Sequence, residues 1–164
     1  VDEMAFYYPM AGLHGRGLGG LVERHGFGDT QLIADSIRRL RFQAGAGFMH
    51  GFIDLVFESE GRYYLADYKS NFLAATPEGY RPAQLNEVMA REQYSLQYLI
   101  YTVAVHRFLR MRLPDYDYER HFGGVYYLFL RGMDPALGHR CGVFYDRPGR
   151  ALVEAMDCHL QGRG

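Results

Sequence analysis

The 164-residue chain is 48% hydrophobic and 23% charged, which fits one soluble globular domain, and it has no apolar run near membrane-span length. Its formal net charge of -1 lacks the basic footprint of an autonomous nucleic-acid binder. Two cysteines, Cys141 and Cys158, are too few for a four-cysteine zinc or iron–sulfur site and fit a reducing, cytoplasmic compartment.

In chain order, residues 4–9 read as a short strand, and Gly12 to Gly20 as a glycine-rich loop. No strand leads into those glycines and no Lys-Ser/Thr follows them, so they do not form a P-loop. Asp29-Thr30 caps a helix running to about Arg41, with Leu32, Ile33, Ile37 and Leu40 on one face. The cluster Arg38-Arg39-Leu40-Arg41 ends it, either complementing the helix dipole or meeting DNA. Two strand-like runs follow, residues 51–57 and 62–71, joined by Glu58-Ser59-Glu60-Gly61.

Asn71 to Pro82 is loop, and a long helix is predicted from Ala83 to Met111. Leu96, Leu99, Ile100 and Val103 give that helix a core face. Gln93, Gln97 and Tyr101 form a polar stripe beside it, reaching towards a site or half-exposed at the boundary. Pro114 ends the helix, and Asp115 to Glu119 is a polar aromatic connector. The apolar run Gly124–Leu130 reads as a strand covered on both faces. Cys141 to Tyr145 is a last strand, and Pro148 opens a helix to about Leu160. This order predicts an α/β fold with a central mixed sheet flanked by helices.

The paired strands carry the chemistry. Alternation puts Asp67 and Lys69 on one face of the second strand. With Glu58 to Gly61 as a tight turn, Phe57 opposes Arg62, Asp54 opposes Leu65 and Phe52 opposes Asp67. Asp54 and Asp67 are then diagonal neighbours at roughly 7–8 Å, able to share an ion. A shift of one residue would separate them. Two carboxylates suit a hard cation such as Mg²⁺ on a phosphodiester, with Lys69 orienting water or neutralising developing charge. The same residues are equally compatible with a surface hairpin bearing a solvated Asp67–Lys69 pair. His50 falls on an even position with Phe52 and Asp54, but a lone histidine is more often structural and stays outside the assignment.

Gly51-Phe52-Ile53-Asp54 and Asp67-Tyr68-Lys69-Ser70-Asn71 resemble the nuclease motif of the PD-(D/E)xK superfamily, within a wider matching stretch over residues 47–57. With Leu96-Gln97-Tyr98, Tyr101, residues 115–119 and residues 121–132, they resemble the C-terminal nuclease domain of RecB subunits of exodeoxyribonuclease V. The resemblance spans roughly residues 45–134. It implies a restriction-endonuclease-like core and an Mg²⁺-dependent exodeoxyribonuclease, with Mn²⁺ as a possible substitute. By the same resemblance, Asp54, Asp67 and the Tyr68 main-chain carbonyl hold the metal. Lys69 is the catalytic lysine, Gln97 and Tyr101 form the Gln-x-x-x-Tyr element, and Glu3 matches the acidic residue preceding the Asp strand. The family's metal-binding histidine lies upstream of that glutamate. The chain is accordingly expected to be residues 1–164 of a single nuclease domain, N-terminally truncated, from a larger helicase–nuclease subunit. Implied partners are DNA and RecC-like and RecD-like subunits, in double-strand break repair and DNA end degradation, with no membrane. The competing expectation is a non-catalytic docking or structural module that keeps the nuclease fold and is inactive as an isolated piece.

Overall fold

The centre of the molecule is a hairpin whose turn needs two consecutive residues with positive φ. Glu60 (φ 53°) and Gly61 (φ 75°) supply them, the geometry that matches the right-handed twist of flanking strands. The strands therefore continue to Ser59 and resume at Arg62. In this computed structural model, which describes residues 2–9, 15–40 and 48–162, that hairpin lies within a five-stranded mixed sheet of order β1-β2-β3-β4-β5. β1 (Asp2–Pro9) is antiparallel to β2 (Phe48–Ser59), which is antiparallel to β3 (Arg62–Lys69). β3 runs parallel to β4 (Phe122–Phe129), and β5 (Val143–Asp146) closes the far edge antiparallel to β4. A parallel pair requires a crossover, and α3 (Pro82–Arg91) and α4 (Tyr94–Arg112) provide it. α1 (Gly15–His25), α2 (Thr30–Arg38), the one-turn α5 (Tyr118–His121) and α6 (Arg150–Leu160) complete the helices. The result is the expected α/β architecture, a mixed sheet flanked by helices.

Several sequence expectations need correction. The glycine-rich stretch forms α1 from Gly15 onward, while Gly12 lies outside the described residues. A Cβ on Gly15 would sit 2.5 Å from the Ile37 carbonyl oxygen, and one on Gly19 would sit 3.0 Å from that of Ala34. These two glycines permit close approach of α1 to α2; Leu18, Leu21 and Val22 are buried beside them. α2 begins as expected, with the Asp29 carboxylate accepting from the Leu32 N–H at 3.2 Å. It ends at Arg38 rather than near Arg41, which lies outside the described residues, and Leu32 is 42% exposed instead of facing the core.

The single long helix is in fact two. Gln93 adopts φ 60° and breaks it, and its side-chain amide donates to the Ser36 carbonyl at 3.1 Å. That break lets α3 pack on α2 and β5 while α4 crosses β3 and β4. α4 is buried on nearly every side, including Tyr98, Thr102 and Val105 opposite the expected core face, because α6 covers it from outside. α5 occupies part of the connector, and α6 starts at Arg150, two residues after Pro148. Among the described residues, no helix is long and apolar enough to cross a membrane.

Candidate active site

The hairpin ladder stops at Leu55↔Ala66. Beyond that rung β2 pairs only with β1, and β3 pairs only with β4, so the sheet forks. Asp54 and Asp67 stand at the two sides of the fork. The observed register places Phe57 opposite Tyr64 and Ser59 opposite Arg62, not Phe57 opposite Arg62. Extended by one rung, it sets Asp54 opposite Asp67 rather than opposite Leu65. This displacement preserves the parity of the pleat, so the two aspartates still share a face.

A peptide N–H at such a fork needs an acceptor. The Tyr68 N–H finds it in Asp54, whose Oδ2 accepts at 2.9 Å. The N–H and C=O of one strand residue point to the same side, so the Tyr68 carbonyl opens into the same gap. The Tyr68 ring lies on the other face of β3, 47% exposed.

Asp67 is buried, and burial is the main cause that raises its carboxyl pKa above 3.8. Lys69 pulls in the opposite direction, and the Asp54 charge adds to the rise. Lys69 Nζ lies 2.6 Å from Asp67 Oδ1. At that distance the ammonium serves this oxygen through both charge and hydrogen bonding, which opposes the effect of burial. The side chains of Lys69 and Asp67 are 13% and 5% exposed, which rules out the solvated surface pair.

α4 lies over this face. Lys69 Nζ donates to Gln97 Oε1 at 3.1 Å, and Gln97 Nε2 donates to the Tyr101 hydroxyl at 2.9 Å. Burial pushes the Tyr101 phenol up to about 12, with Asp67 and Asp54 adding to the shift. The three-residue stripe is thus divided: Gln97 and Tyr101 reach the site, whereas Gln93 sits at the helix break and turns its amide to α2. Two further residues, not singled out from the sequence, complete the surroundings. Tyr127, opposite Asp67 on β4, donates its hydroxyl to Gln97 Oε1 at 2.8 Å. Tyr94 lays its ring 4.2 Å from Lys69 Nζ, and its hydroxyl donates to Asn71 Oδ1 at 3.1 Å. A buried tyrosine requires a partner for its O–H, but only the strand order and the crossover bring these partners together.

Glu3 and His50 lie on β1 and β2, outside the contacts that link Asp54, Asp67, Lys69, Gln97 and Tyr101. Glu3 falls at the register position opposite Asp54, but its φ of 54° takes it out of the ladder, and it is exposed. The alternation of β2 breaks between Ile53 and Asp54. Gly51 and Ile53 face the Phe6 and α4 side, since a Cβ on Gly51 would sit 2.5 Å from the Phe6 ring, which packs on Tyr101. His50 and Phe52 consequently turn away from Asp54, and His50 stacks on Tyr7 at 4.5 Å. Among the described residues, no group of three or more His, Cys, Asp or Glu side chains gathers as a metal-binding cluster.

The donor set fits a divalent cation in a limited way. Asp67 offers a buried carboxylate whose Oδ1 meets Lys69, Asp54 keeps one oxygen beyond its bond to Tyr68, and a carbonyl opens beside them. All are hard oxygen ligands of the kind Mg²⁺ takes, with waters or substrate oxygens filling the remaining positions.

The basic runs are largely consumed internally. Arg38 pairs with Glu23 and Asp35, and Arg107 and Arg110 pair with Asp157.

Fold and site together define an α/β protein with a restriction-endonuclease-like core and a carboxylate–lysine cluster where its sheet divides. No family model matches the chain. The RecBCD enzyme subunit RecB of Escherichia coli (strain K12) is 50% identical over 118 residues, covering 72% of this chain and 10% of that protein. The Haemophilus influenzae RecB is 51% identical over 118 residues, again 72% of this chain and 10% of the relative. RecB of Mycobacterium tuberculosis (strain H37Rv) is 42% identical over 175 residues, covering 95% and 16%. The chain is therefore a homologue of RecB, matching one stretch of it. It spans about a tenth to a sixth of the length of these relatives.

Proposed function

We propose that this chain is the Mg²⁺-dependent nuclease domain of a RecBCD-type helicase–nuclease. It hydrolyses DNA phosphodiesters during end degradation and double-strand break repair, alongside RecC-like and RecD-like subunits. One observation carries the reading: a buried Asp67–Lys69 pair beside Asp54 at the fork of the sheet, with Lys69 held by Gln97.

Asp54, Asp67 and the Tyr68 carbonyl would hold the metal. The ion, when bound, lowers the pKa of a water and offsets charge on the phosphate. Asp54 keeps the fork closed through the Tyr68 N–H and thereby fixes its own carboxylate. Lys69 presents an ammonium where negative charge develops on phosphate oxygens, an electrostatic contribution that needs no covalent intermediate. Gln97 and Tyr101 bring polar groups to the open side, and Tyr101 stays protonated at neutral pH.

Asp67→Ala or Lys69→Ala in the RecB polypeptide carrying this domain should lower Mg²⁺-dependent DNA cleavage by about a hundredfold or more and leave unwinding intact. Cleavage retained by both variants would sink the assignment.

A second reading has its own support. The described residues bring only two acidic side chains to the fork, which favours a docking module that keeps the fold without catalysis. Under that reading neither substitution changes cleavage.

A further inference from the structure

We infer that Tyr127 is a positioning residue that orients the Gln97 amide, and through it both Lys69 and Tyr101. The inference rests on the nuclease reading for its catalytic meaning, but the geometry stands independently.

Lysine ammonium has three donors and no acceptor. The Gln97 atom 3.1 Å from Lys69 Nζ is therefore the amide oxygen, whatever the intrinsic ambiguity of amide orientation. Tyr127 reaches that same oxygen at 2.8 Å and must donate to it. Burial raises the Tyr127 phenol well above its usual value, so it remains a hydroxyl donor. Gln97 Nε2 then donates to Tyr101 at 2.9 Å, which leaves the Tyr101 hydrogen to point elsewhere. The buried Tyr127 O–H and the Lys69 ammonium thus converge on one oxygen and together set the direction of the amide that reaches Tyr101.

The same tyrosine acts on Lys69 directly. Its ring centroid lies 5.0 Å from Nζ, and the Tyr94 centroid lies 4.2 Å from it, so the ammonium sits against two aromatic faces. Without the Tyr127 hydroxyl, Lys69 is the one donor left on Gln97 Oε1, and the amide is free to tilt about that single contact and carry the ammonium with it.

Tyr127→Phe isolates this role, because it keeps the ring and its packing. Lys69 is the only lysine in the chain. A preparation labelled with ¹³C at lysine Cε therefore gives one resonance pair, displaced upfield by the two rings. In Tyr127→Phe this signal should move towards the free-lysine position, and in a Gln97→Ala background the same substitution should add no further movement. In cleavage assays on the RecB polypeptide, Tyr127→Phe should reduce kcat about tenfold with KM for DNA unchanged, since the loss falls on orientation and not on substrate binding. An unmoved Lys69 signal in Tyr127→Phe overturns the inference, as does an unchanged kcat in an active enzyme. Absence of cleavage in the unsubstituted protein refutes the nuclease reading instead, and the resonance experiment still decides the role of Tyr127.

Discussion

Asp67 shows what a buried carboxylate costs a fold. Its raised pKa means that the ionised form is less favoured in the folded state than in the unfolded chain. Ionised Asp67 therefore subtracts stability at neutral pH, and that cost disappears as pH falls below 3.8. Asp67→Asn is expected to raise Tm at pH 7 in metal-free buffer, to give no gain near pH 3, and to remove DNA cleavage. A lower Tm at pH 7 would show that the Lys69 pair outweighs burial. At this scale the sequence was informative wherever a side chain's partners lie nearby along a strand. Asp54, Asp67 and Lys69 were legible because the two-residue period fixes their face. Tyr94 and Tyr127 were not, since they are two of 14 tyrosines and act only across the crossover. Glu3, matched through a short resemblance, has a left-handed backbone between the Asp2 and Met4 rungs, which no strand period announces.

Elements were readable where periodicity or punctuation was strong, as in the capped α2, the apolar β4 and the end of α4 before Pro114. They were misread where a glycine or a single residue answers to tertiary contact. α1 looked like a loop because four of its first six residues are Gly, at positions 15, 17, 19 and 20. Two of them are demanded by the neighbouring helix. Gly15→Ala should destabilise the protein by about 1–3 kcal/mol, since the methyl meets backbone and not a movable side chain. Gly20→Ala meets only Arg24 Nη1 at 3.5 Å and should stabilise by up to about 1 kcal/mol through helix propensity. Urea titrations of both variants check the contrast, and equal effects would refute the packing account. The α3–α4 break has no signal in the hydrophobic pattern, because the stripe continues in phase through Gln93. The hairpin register was missed for a related reason: Glu-Gly makes a two-residue turn, and the four-residue joint inferred between the strands included two residues that pair.

Across the whole molecule, many cations are spent on internal pairs, from Arg38 in α2 to Arg147 and Arg150 against Glu119, Glu154 and Asp117. With a net charge of -1, tight binding to DNA by this chain alone is not expected. A resident cation would be visible in global stability instead. At a hundredfold excess over its dissociation constant, Mg²⁺ or Mn²⁺ binding adds about 2.7 kcal/mol, raising Tm by about 5 °C or more. Asp54→Ala should abolish that shift; no shift in the unsubstituted chain would argue against a metal held by these residues. The fork gives the same carboxylate a mechanical meaning. Asp54 is the clasp between two plies of the sheet, one made of β1 and outer β2, the other of β3, β4 and β5. Any ligand that draws on its oxygens therefore pulls on the seam itself, so occupancy at the site and the spacing of the plies are one variable.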